Sequence, residues 1–570
     1  MKNLTITTVT PKTVLGNPMK NAENIIEVIK NINSDIIVFP ELSLTGVNIG
    51  DFVYNKEFIK SEKVAFEKVK EEVKDKLVIL GSIEVYNNKI YNVIYLLYNK
   101  NIIGITKKNY SDDRNKLELR SFSNDIIGLE IVKNVHYIEH LGLSLGIDFT
   151  NDNLDLNKFD YSLYNSDIII NPSSSVFAVR KDIERINYIK TISNTFKIPY
   201  VYVTNGICET SSDVVYSGTQ IVYNKEMELL NVSNLSFDNV INTVFIESND
   251  CESKGLKLVN TLENHVMKYP FRLNTLECEQ VCNVTSAALY KRLSHIGINA
   301  TVIGVSGGLD STLALMFLYD CYKNYNIPTE YIYGITMPGL ATGDKTKNIA
   351  WNLMTKLGIT CLEKPIKVEV ENHLKLIGHD GITKDVTYEN AQARYRTYIL
   401  MNYANLCKGL VIGTSDMSEI ALGWSTFNGD QIAMYGLISG IPKTTVKELV
   451  KYYSVKYPIV KKELEAVLDL PITPELTGND QFTEDLIGRY DINDFIMYYT
   501  FKENFSKDEI LEYATLYFDK SAEEINLYYD RLLRRFKQNQ FKRYASCEGI
   551  KIFDLSLSPR VGYIFPGDMK

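Results

Sequence analysis

Two apolar runs, Ala300-Thr301-Val302-Ile303 and Thr312-Leu313-Ala314-Leu315-Met316-Phe317-Leu318, enclose the stretch Gly304-Val305-Ser306-Gly307-Gly308-Leu309-Asp310-Ser311. The first run has the length of a buried strand, and the second reads as a helix. Adjacent glycines let backbone amides approach an anion with no Cβ in the way. The unpaired N–H groups of the first helical turn, together with the helix dipole, then favour a phosphate at that point. Ser306 and Ser311 add hydroxyl donors. Asp310 beside a phosphate makes chemical sense when a metal cation lies between the two negative groups. A tight strand-to-helix turn without a ligand needs one glycine, seldom two flanked by Ser306 and Asp310-Ser311.

Three further runs have the composition of a polar site. Thr414-Ser415-Asp416-Met417-Ser418-Glu419 and Trp424-Ser425-Thr426-Phe427-Asn428-Gly429-Asp430 follow an apolar strand at 410–413, hold three carboxylates and one of the chain's 2 tryptophans, and are followed by Lys443. In Asn390-Ala391-Gln392-Ala393-Arg394-Tyr395-Arg396, helical spacing puts Asn390 and Arg394 on one face. Met337-Pro338-Gly339 ends a strand at 331–336, where open α/β sheets bind ligands. Strands at 300–303, 331–336 and 410–413 alternate with helices, one of them at 345–357, which implies a doubly wound parallel sheet. The segment 531–543 carries six Lys and Arg and no acid, a pattern that reads first as a solvated face; Lys542 is singled out within it.

The first half reads differently. Candidate strands at 4–9, 35–39, 77–85, 93–98, 102–106, 141–149, 167–171, 200–204, 219–223 and 240–246 follow one another closely, as in a layered sandwich with antiparallel pairs. Periodicity fades from about 249 to 268. The expected organisation is a domain at 1–250, a linker at 251–272 and a domain at 273–570.

The glycine-rich loop lacks the Walker lysine and resembles the PP-loop of the ATP pyrophosphatases, Ser306-Gly307-Gly308-Leu309-Asp310-Ser311 being the match. The first half resembles the nitrilase superfamily of carbon–nitrogen hydrolases through Phe39-Pro40-Glu41-Leu42, Gly104-Ile105-Thr106-Lys107-Lys108, Glu118-Leu119-Arg120-Ser121-Phe122 and Asn171-Pro172-Ser173-Ser174-Ser175. That resemblance implies an α-β-β-α sandwich, with Glu41 as the general base and Lys108 as the oxyanion-stabilising lysine. The family's nucleophilic cysteine stands in a motif such as Ile-Cys-Glu-Asp. The stretch matched to it is Leu145-Gly146-Ile147-Asp148, which puts Gly146 at the nucleophile position. Loss of a nucleophile costs roughly a million-fold in turnover. Ser144, two residues back along a strand, would be roughly 7 Å away. Cys208, the first cysteine in the chain, belongs to a later segment. A family tyrosine six residues after the lysine is replaced by Arg114.

Taken together with Pro471-Ile472-Thr473-Pro474-Glu475-Leu476, Gln481-Phe482-Thr483-Glu484-Asp485, Gln540-Phe541-Lys542-Arg543 and Leu557-Ser558-Pro559-Arg560, these runs resemble the large, two-domain, glutamine-dependent NAD synthetases. The resemblance implies ATP-dependent amidation of deamido-NAD through an acyl-adenylate. It assigns ATP to the loop from Gly304 to Ser311 with Thr414 and Lys443. It assigns Mg²⁺ to Asp310 and Glu419, and deamido-NAD to Asn390, Arg394, Glu419, Trp424, Asp430 and Lys542. With no cysteine at the matched position, the expectation is a pseudo-glutaminase half and a synthetase fed by free ammonia, with an external ammonia-supplying protein as a candidate partner. Relatives' assembly implies a homo-oligomer.

Composition is that of a globular protein, 45% hydrophobic and 23% charged, large enough for more than one core. A formal net charge of −8 argues against a general nucleic-acid binder, and no apolar run has the length of a membrane span. The 8 cysteines show neither CxxC pairs nor zinc spacing, and no signal-peptide pattern precedes the first strand, so a reduced, cytoplasmic enzyme is expected.

Overall fold

The computed structural model describes residues 3–109, 122–123, 132–149, 154, 156, 159–224, 227–247, 269–340, 343–470, 483–563 and 566–567. Arg114, Glu118-Leu119-Arg120-Ser121, most of the expected linker, Pro471 to Leu476 and Gln481-Phe482 lie outside them. The chain divides into two compact units, Met1–Ser211 with Val215–His265, and Ser212–Val214 with Val266–Lys570.

Among the described residues the first unit contains twelve strands: β1 (Asn3–Thr10), β2 (Ile36–Val38), β3 (Leu77–Tyr86), β4 (Lys89–Tyr98), β5 (Asn101–Lys107), β6 (Val135–Ile138), β7 (Leu143–Ile147), β8 (Ile168–Ser173), β9 (Tyr200–Thr204), β10 (Gln220–Asn224), β11 (Met227–Val232) and β12 (Val240–Glu247). They form two six-stranded sheets, ordered β12-β1-β2-β3-β4-β5 and β11-β10-β9-β8-β7-β6. Alternation of side chains along each strand gives each sheet two faces. Ile6, Val38, Ile79, Ile94 and Leu96 of one sheet meet Leu145, Ile147, Ile170, Val201 and Val222 of the other in a shared core. The opposite face of the first sheet packs Ile37, Val78, Val93 and Tyr95 against helices Pro18–Asn31 and Lys56–Glu72. The opposite face of the second packs Ile169, Tyr200 and Ile221 against helix Lys181–Phe196. This is the expected α-β-β-α sandwich. The two strands missing from the sequence reading, β6 and β11, are the edge strands of one sheet, each paired on a single side. Edge strands carry weaker apolar patterning than central ones, and Val135-His136-Tyr137-Ile138 exposes Tyr137.

The second unit is built on a five-stranded sheet of β13 (Thr301–Gly304), β14 (Ile332–Thr336), β15 (Thr360–Glu363), β16 (Leu410–Gly413) and β17 (Tyr435–Gly436), ordered β15-β14-β13-β16-β17. Every pair is parallel. The chain winds outward from β13 through β14 to β15, then returns to the other side of β13 as β16. The topological switch point therefore lies between β13 and β16, at whose carboxyl ends such sheets bind ligands. The glycine-rich loop leaves β13, and the Thr414 run leaves β16. The doubly wound expectation holds. β17 escaped it because it is two residues long, and β15 because it is an edge strand with no fully buried residue.

Helix Lys56–Glu72 buries Phe58, Glu62, Ala65, Phe66 and Val69 on one face. Glu62 is the exception in that set. Its carboxyl accepts a hydrogen bond from Ser82 Oγ at 2.7 Å. Burial lifts its pKa from 4.5 to about 8, against the opposing Ser82 hydrogen bond. The folded state thus keeps a proton that the unfolded chain releases. The associated stability is fully present below pH 4.5 and is lost as the pH rises to about 8. Denaturant unfolding followed between pH 5 and 8 should show the first unit losing up to about 1.4 kcal/mol per pH unit from this group. Glu62→Gln should flatten that slope. An unchanged slope in the variant would assign it to other groups.

Candidate functional site

In the glycine-rich loop, helix Leu309–Asn324 begins at Gly308, whose side of the cap offers no side-chain acceptor. Ser306 and Ser311 brace the turn instead. Ser306 N donates to Ser311 Oγ at 3.3 Å, the two hydroxyls lie 3.1 Å apart, and Gly308 N donates to Ser306 Oγ at 3.1 Å. Gly307 has φ +89°, and a Cβ there would lie 2.4 Å from Thr346 O. Only glycine meets both conditions. The brace presents Asp310 on the first helical turn.

At the end of β16, helix Met417–Leu422 starts with a capping box. Asp416 accepts from Glu419 N at 2.8 Å, and Glu419 accepts from Asp416 N at 3.4 Å. The box fixes two carboxylates three residues apart. They meet Asp310 from β13's side of the switch point. One oxygen from each of Asp310, Asp416 and Glu419 lies within 4.8 Å of the others.

Lys443 projects into this group. Its Nζ lies 2.6 Å from Asp310, 2.8 Å from Asp416 and 2.9 Å from Glu419, with the side chain 1% exposed. It also lies 5.2 Å from the centre of the Tyr490 ring. Burial disfavours the charged lysine, but Asp310, Asp416 and Glu419 outweigh it and hold the ammonium protonated well above its usual range. Burial lifts Glu419 to about 7 and Asp416 well above the ordinary carboxylate range, in both cases against the pull of Lys443. A divalent cation fits the donor set. Three carboxylates converge, and among the described residues Asp310 Oδ1 is buried without a hydrogen-bond partner. The expected metal pair was Asp310 and Glu419; Asp416 is the third member that the sequence reading left out. The Asp-x-x-Glu spacing of a capping box was the available signal.

Of the residues expected to hold deamido-NAD, all but Glu419, which stands in the carboxylate cluster, gather around the loop 423–431. Asn390 Oδ1 accepts from Thr426 Oγ1 at 2.7 Å, Asp430 Oδ1 accepts from Thr426 N at 2.8 Å, and Arg394 Nε donates to Phe427 O at 3.2 Å. Lys542 Nζ donates to Gly423 O at 2.8 Å and Ser425 O at 2.7 Å. Trp424 faces the Arg535 guanidinium, 5.1 Å from the ring centre. Helix Val386–Cys407, which carries Asn390 and Arg394, also braces the loop after β14. Gln392 Oε1 accepts from Leu340 N at 3.0 Å, and Arg396 Nε donates to Met337 O at 3.2 Å.

Ser418 and Asp494 were missed. Ser418 Oγ accepts from Lys443 N at 2.8 Å, and its hydroxyl donates to the carboxylate of Asp494 on helix Tyr490–Phe501. Asp494 comes from 50 residues beyond Thr444, and no local pattern marks it.

The first unit holds a separate polar cluster. Lys108 Nζ lies 2.6 Å and 2.8 Å from the two carboxylate oxygens of Glu41, and each side chain is 2% exposed. Asn92 Nδ2 donates to Glu41 Oε1 at 2.5 Å, and Ser174 Oγ donates to Oε2 at 2.8 Å. Gly81 lets the Glu41 turn approach β3, since a Cβ there would lie 2.4 Å from both Pro40 O and Leu42 N. Asn92 shares the parity of Ile94 and Leu96, so the cluster lies on the inter-sheet side.

Gly146 does not. Leu145 and Ile147 face the inter-sheet core, which turns Gly146 outward, and a Cβ on it would meet Ser166 Oγ at 2.5 Å and Leu163 Cδ2 at 3.1 Å. The assignment of Gly146 as the nucleophile position is therefore corrected. Ser144 fails for the same parity. Cys208 Sγ points to Phe237 O at 3.5 Å. The chain reaches the Glu41–Lys108 pair further on, at Phe149, whose ring centre lies 5.5 Å from Lys108 Nζ. Thr150, which follows, lies outside the described residues.

Residues 281–545 match the family model described as NAD synthase. The glutamine-dependent NAD(+) synthetase of Mycobacterium leprae is 27% identical, over 97% of this chain and 94% of its own length. A glutamine-dependent NAD(+) synthetase structure from Cytophaga hutchinsonii shares the fold with a TM-score of 0.80 at 19% identity, covering 99% of this chain and 98% of that one. The Acinetobacter baumannii synthetase, solved with adenosine diphosphate, gives a TM-score of 0.69 at 21% identity and covers 98% and 97% of the two chains.

Removing Lys443 leaves the buried Asp416 and the half-buried Asp310 and Glu419 without their counter-charge. Lys443→Met should cost about 3–5 kcal/mol of stability in denaturant unfolding. Millimolar Mg²⁺ should restore part of the loss by supplying positive charge to the same oxygens. A variant as stable as the wild type, and indifferent to Mg²⁺, would show that the cluster does not need a cation.

Proposed function

We propose, for a chain that is a C–N-forming ligase of the NAD synthase kind, the ATP-dependent amidation of deamido-NAD with free ammonia, giving NAD, AMP and pyrophosphate. The observation that carries this reading is the meeting of Asp310, Asp416, Glu419 and Lys443 at the carboxyl ends of β13 and β16, with a braced glycine-rich turn beside them.

The chemistry follows from the groups present. A carboxylate is a poor acyl donor, so an oxygen of the nicotinate carboxylate attacks the α-phosphorus of ATP and pyrophosphate departs. Ammonia then attacks the acyl carbon, loses a proton, and AMP leaves with the carboxylate oxygen that had attacked. The Ser306–Ser311 turn and the first amides of helix Leu309–Asn324 receive the phosphates that leave. Lys443 provides positive charge beside them. Asp310, Asp416 and Glu419 would hold Mg²⁺, which when bound neutralises charge developing on the departing pyrophosphate. Asn390, Arg394, Trp424, Asp430 and Lys542 frame the loop 423–431, which would receive deamido-NAD, while Thr414, directly after β16, would contact ATP. Little covalent work falls to the protein; it positions two substrates and stabilises charge.

Free ammonia is favoured because residues 1–207, which include the run matched to the nucleophile motif of a nitrilase-like glutaminase, contain no cysteine, and Cys208, the first in the chain, has its Sγ 3.5 Å from Phe237 O. The correction at Gly146 moves the vacancy along the chain and leaves that argument intact. A second reading has its own support. The Glu41–Lys108 pair keeps a complete shell of Asn92 and Ser174, and the relatives are named glutamine-dependent. In that reading a residue after Phe149 supplies the nucleophile.

Purified protein with ATP, Mg²⁺ and deamido-NAD should form NAD with ammonium chloride and fall at least a hundredfold short with ammonia-free glutamine. Equal rates would establish the second reading. No NAD from either nitrogen source would overturn the assignment as a synthetase. Asp310→Asn and Glu419→Gln should each lower ammonia-driven AMP release by about 10²-fold or more, as removal of charge-stabilising groups does elsewhere.

A further inference from the structure

Helix Lys443–Lys456 begins at Pro442, which offers no side-chain cap for the first helical amides. The missing acceptors come from outside the helix. Lys443 N donates to Ser418 Oγ at 2.8 Å. Thr444 N donates to Asp494 Oδ2 at 3.3 Å, and Thr444 Oγ1 donates to the same oxygen at 2.8 Å. The other oxygen, Asp494 Oδ1, accepts from Ser418 Oγ. Ser418 is the residue before Glu419, on helix Met417–Leu422. A single carboxylate therefore ties the helix that carries Glu419 to the helix that begins with Lys443.

Asp494 is 1% exposed and Ser418 is 1% exposed, so neither bond competes with bulk water. Dry, charge-assisted hydrogen bonds are the strong ones, and a negative group at a helix N-terminus adds a favourable dipole term. The neighbours on the same helix reinforce the placement. Asn493 Nδ2 donates to Ile487 O at 3.0 Å and to Arg489 O at 3.0 Å, and Tyr269 OH donates to Asp491 O at 2.8 Å. Tyr490 lies over the Lys443 ammonium at 5.2 Å. Helix Tyr490–Phe501 contributes no strand and no loop to the switch point, yet it fixes where two of the four charged groups stand.

We propose that Asp494 is a positioning residue for adenylation, acting through Ser418 and Thr444 to hold the Lys443 ammonium in register with Glu419. The inference rests on the synthetase reading above. It makes no contact between Asp494 and any substrate. Its effect passes through Lys443, so it should vanish when the lysine is gone.

A double-mutant cycle on the full chain tests this, with ammonia-driven AMP release and thermal unfolding as the readouts. Asp494→Asn, nearly isosteric, should lower AMP release at saturating substrates at least tenfold and leave the KM for deamido-NAD within twofold. Placed in a Lys443→Gln background, whose residual rate is measured at high enzyme concentration, the same substitution should cost less than twofold. Equal losses in both backgrounds would identify a general structural role and overturn the inference. So would an unchanged rate in the single variant. Should Asp494→Asn fail to fold, Thr444→Val, which removes one donor and keeps the carboxylate, is read in the same cycle against the same two outcomes. A wild type that releases no AMP overturns the synthetase reading and this inference with it; an active wild type with additive losses overturns this inference alone.

Discussion

Three carboxylates with oxygens within 4.8 Å of one another, one buried and two half-buried, do not stand together unless a cation joins them. In the second unit that requirement is met by Lys443, at 2.6–2.9 Å from all three. Much of the surrounding structure serves to make the arrangement hold. The capping box sets Asp416 and Glu419 three residues apart on one turn. The braced glycine turn sets Asp310, and Ser418 with Asp494 sets the start of the lysine's helix. The return of the chain from β15 to β16 brings these groups together at the switch point.

The first unit meets a similar demand differently. Glu41 and Lys108 neutralise each other at 2.6 Å, and Asn92 and Ser174 use both carboxylate oxygens. A base engaged in this way has little left to offer a substrate until a reacting group displaces one of its partners. The cluster is drier than the one in the second unit, with Glu41 and Lys108 each 2% exposed, but residues 1–207 hold no cysteine. Completeness of a charged network is evidence of packing order, and chemistry needs in addition the group that reacts.

The fold was legible where apolar runs were long. The central strands of both sheets, the sandwich and the parallel sheet followed from them, whereas edge strands such as β6 and two-residue β17 carry too little pattern to stand out. Within the site, the glycine turn was legible because its spacing is local, whereas Glu419 and Lys443 were legible only through the family resemblance of the runs that hold them. Asp416 was visible as half of a capping box and was passed over. Asp494 was not visible, since its role is set by tertiary packing across 50 residues. The error at Gly146 has a plain physical origin. Matching a short motif by composition does not fix which face of a strand a residue takes, and a slip in register reverses it. Leu145 and Ile147, both inward and apolar, already carried the parity that places Gly146 outside.

The account's central claim is that ATP activates a substrate carboxylate as an acyl-adenylate at the Asp310–Asp416–Glu419–Lys443 cluster. The most direct measurement uses deamido-NAD labelled with ¹⁸O in the nicotinate carboxylate, with ammonium as nitrogen donor, and mass analysis of the nucleotide products. The account predicts AMP carrying one ¹⁸O atom and unlabelled pyrophosphate. Label in pyrophosphate or orthophosphate, or AMP free of label while NAD accumulates, would contradict it.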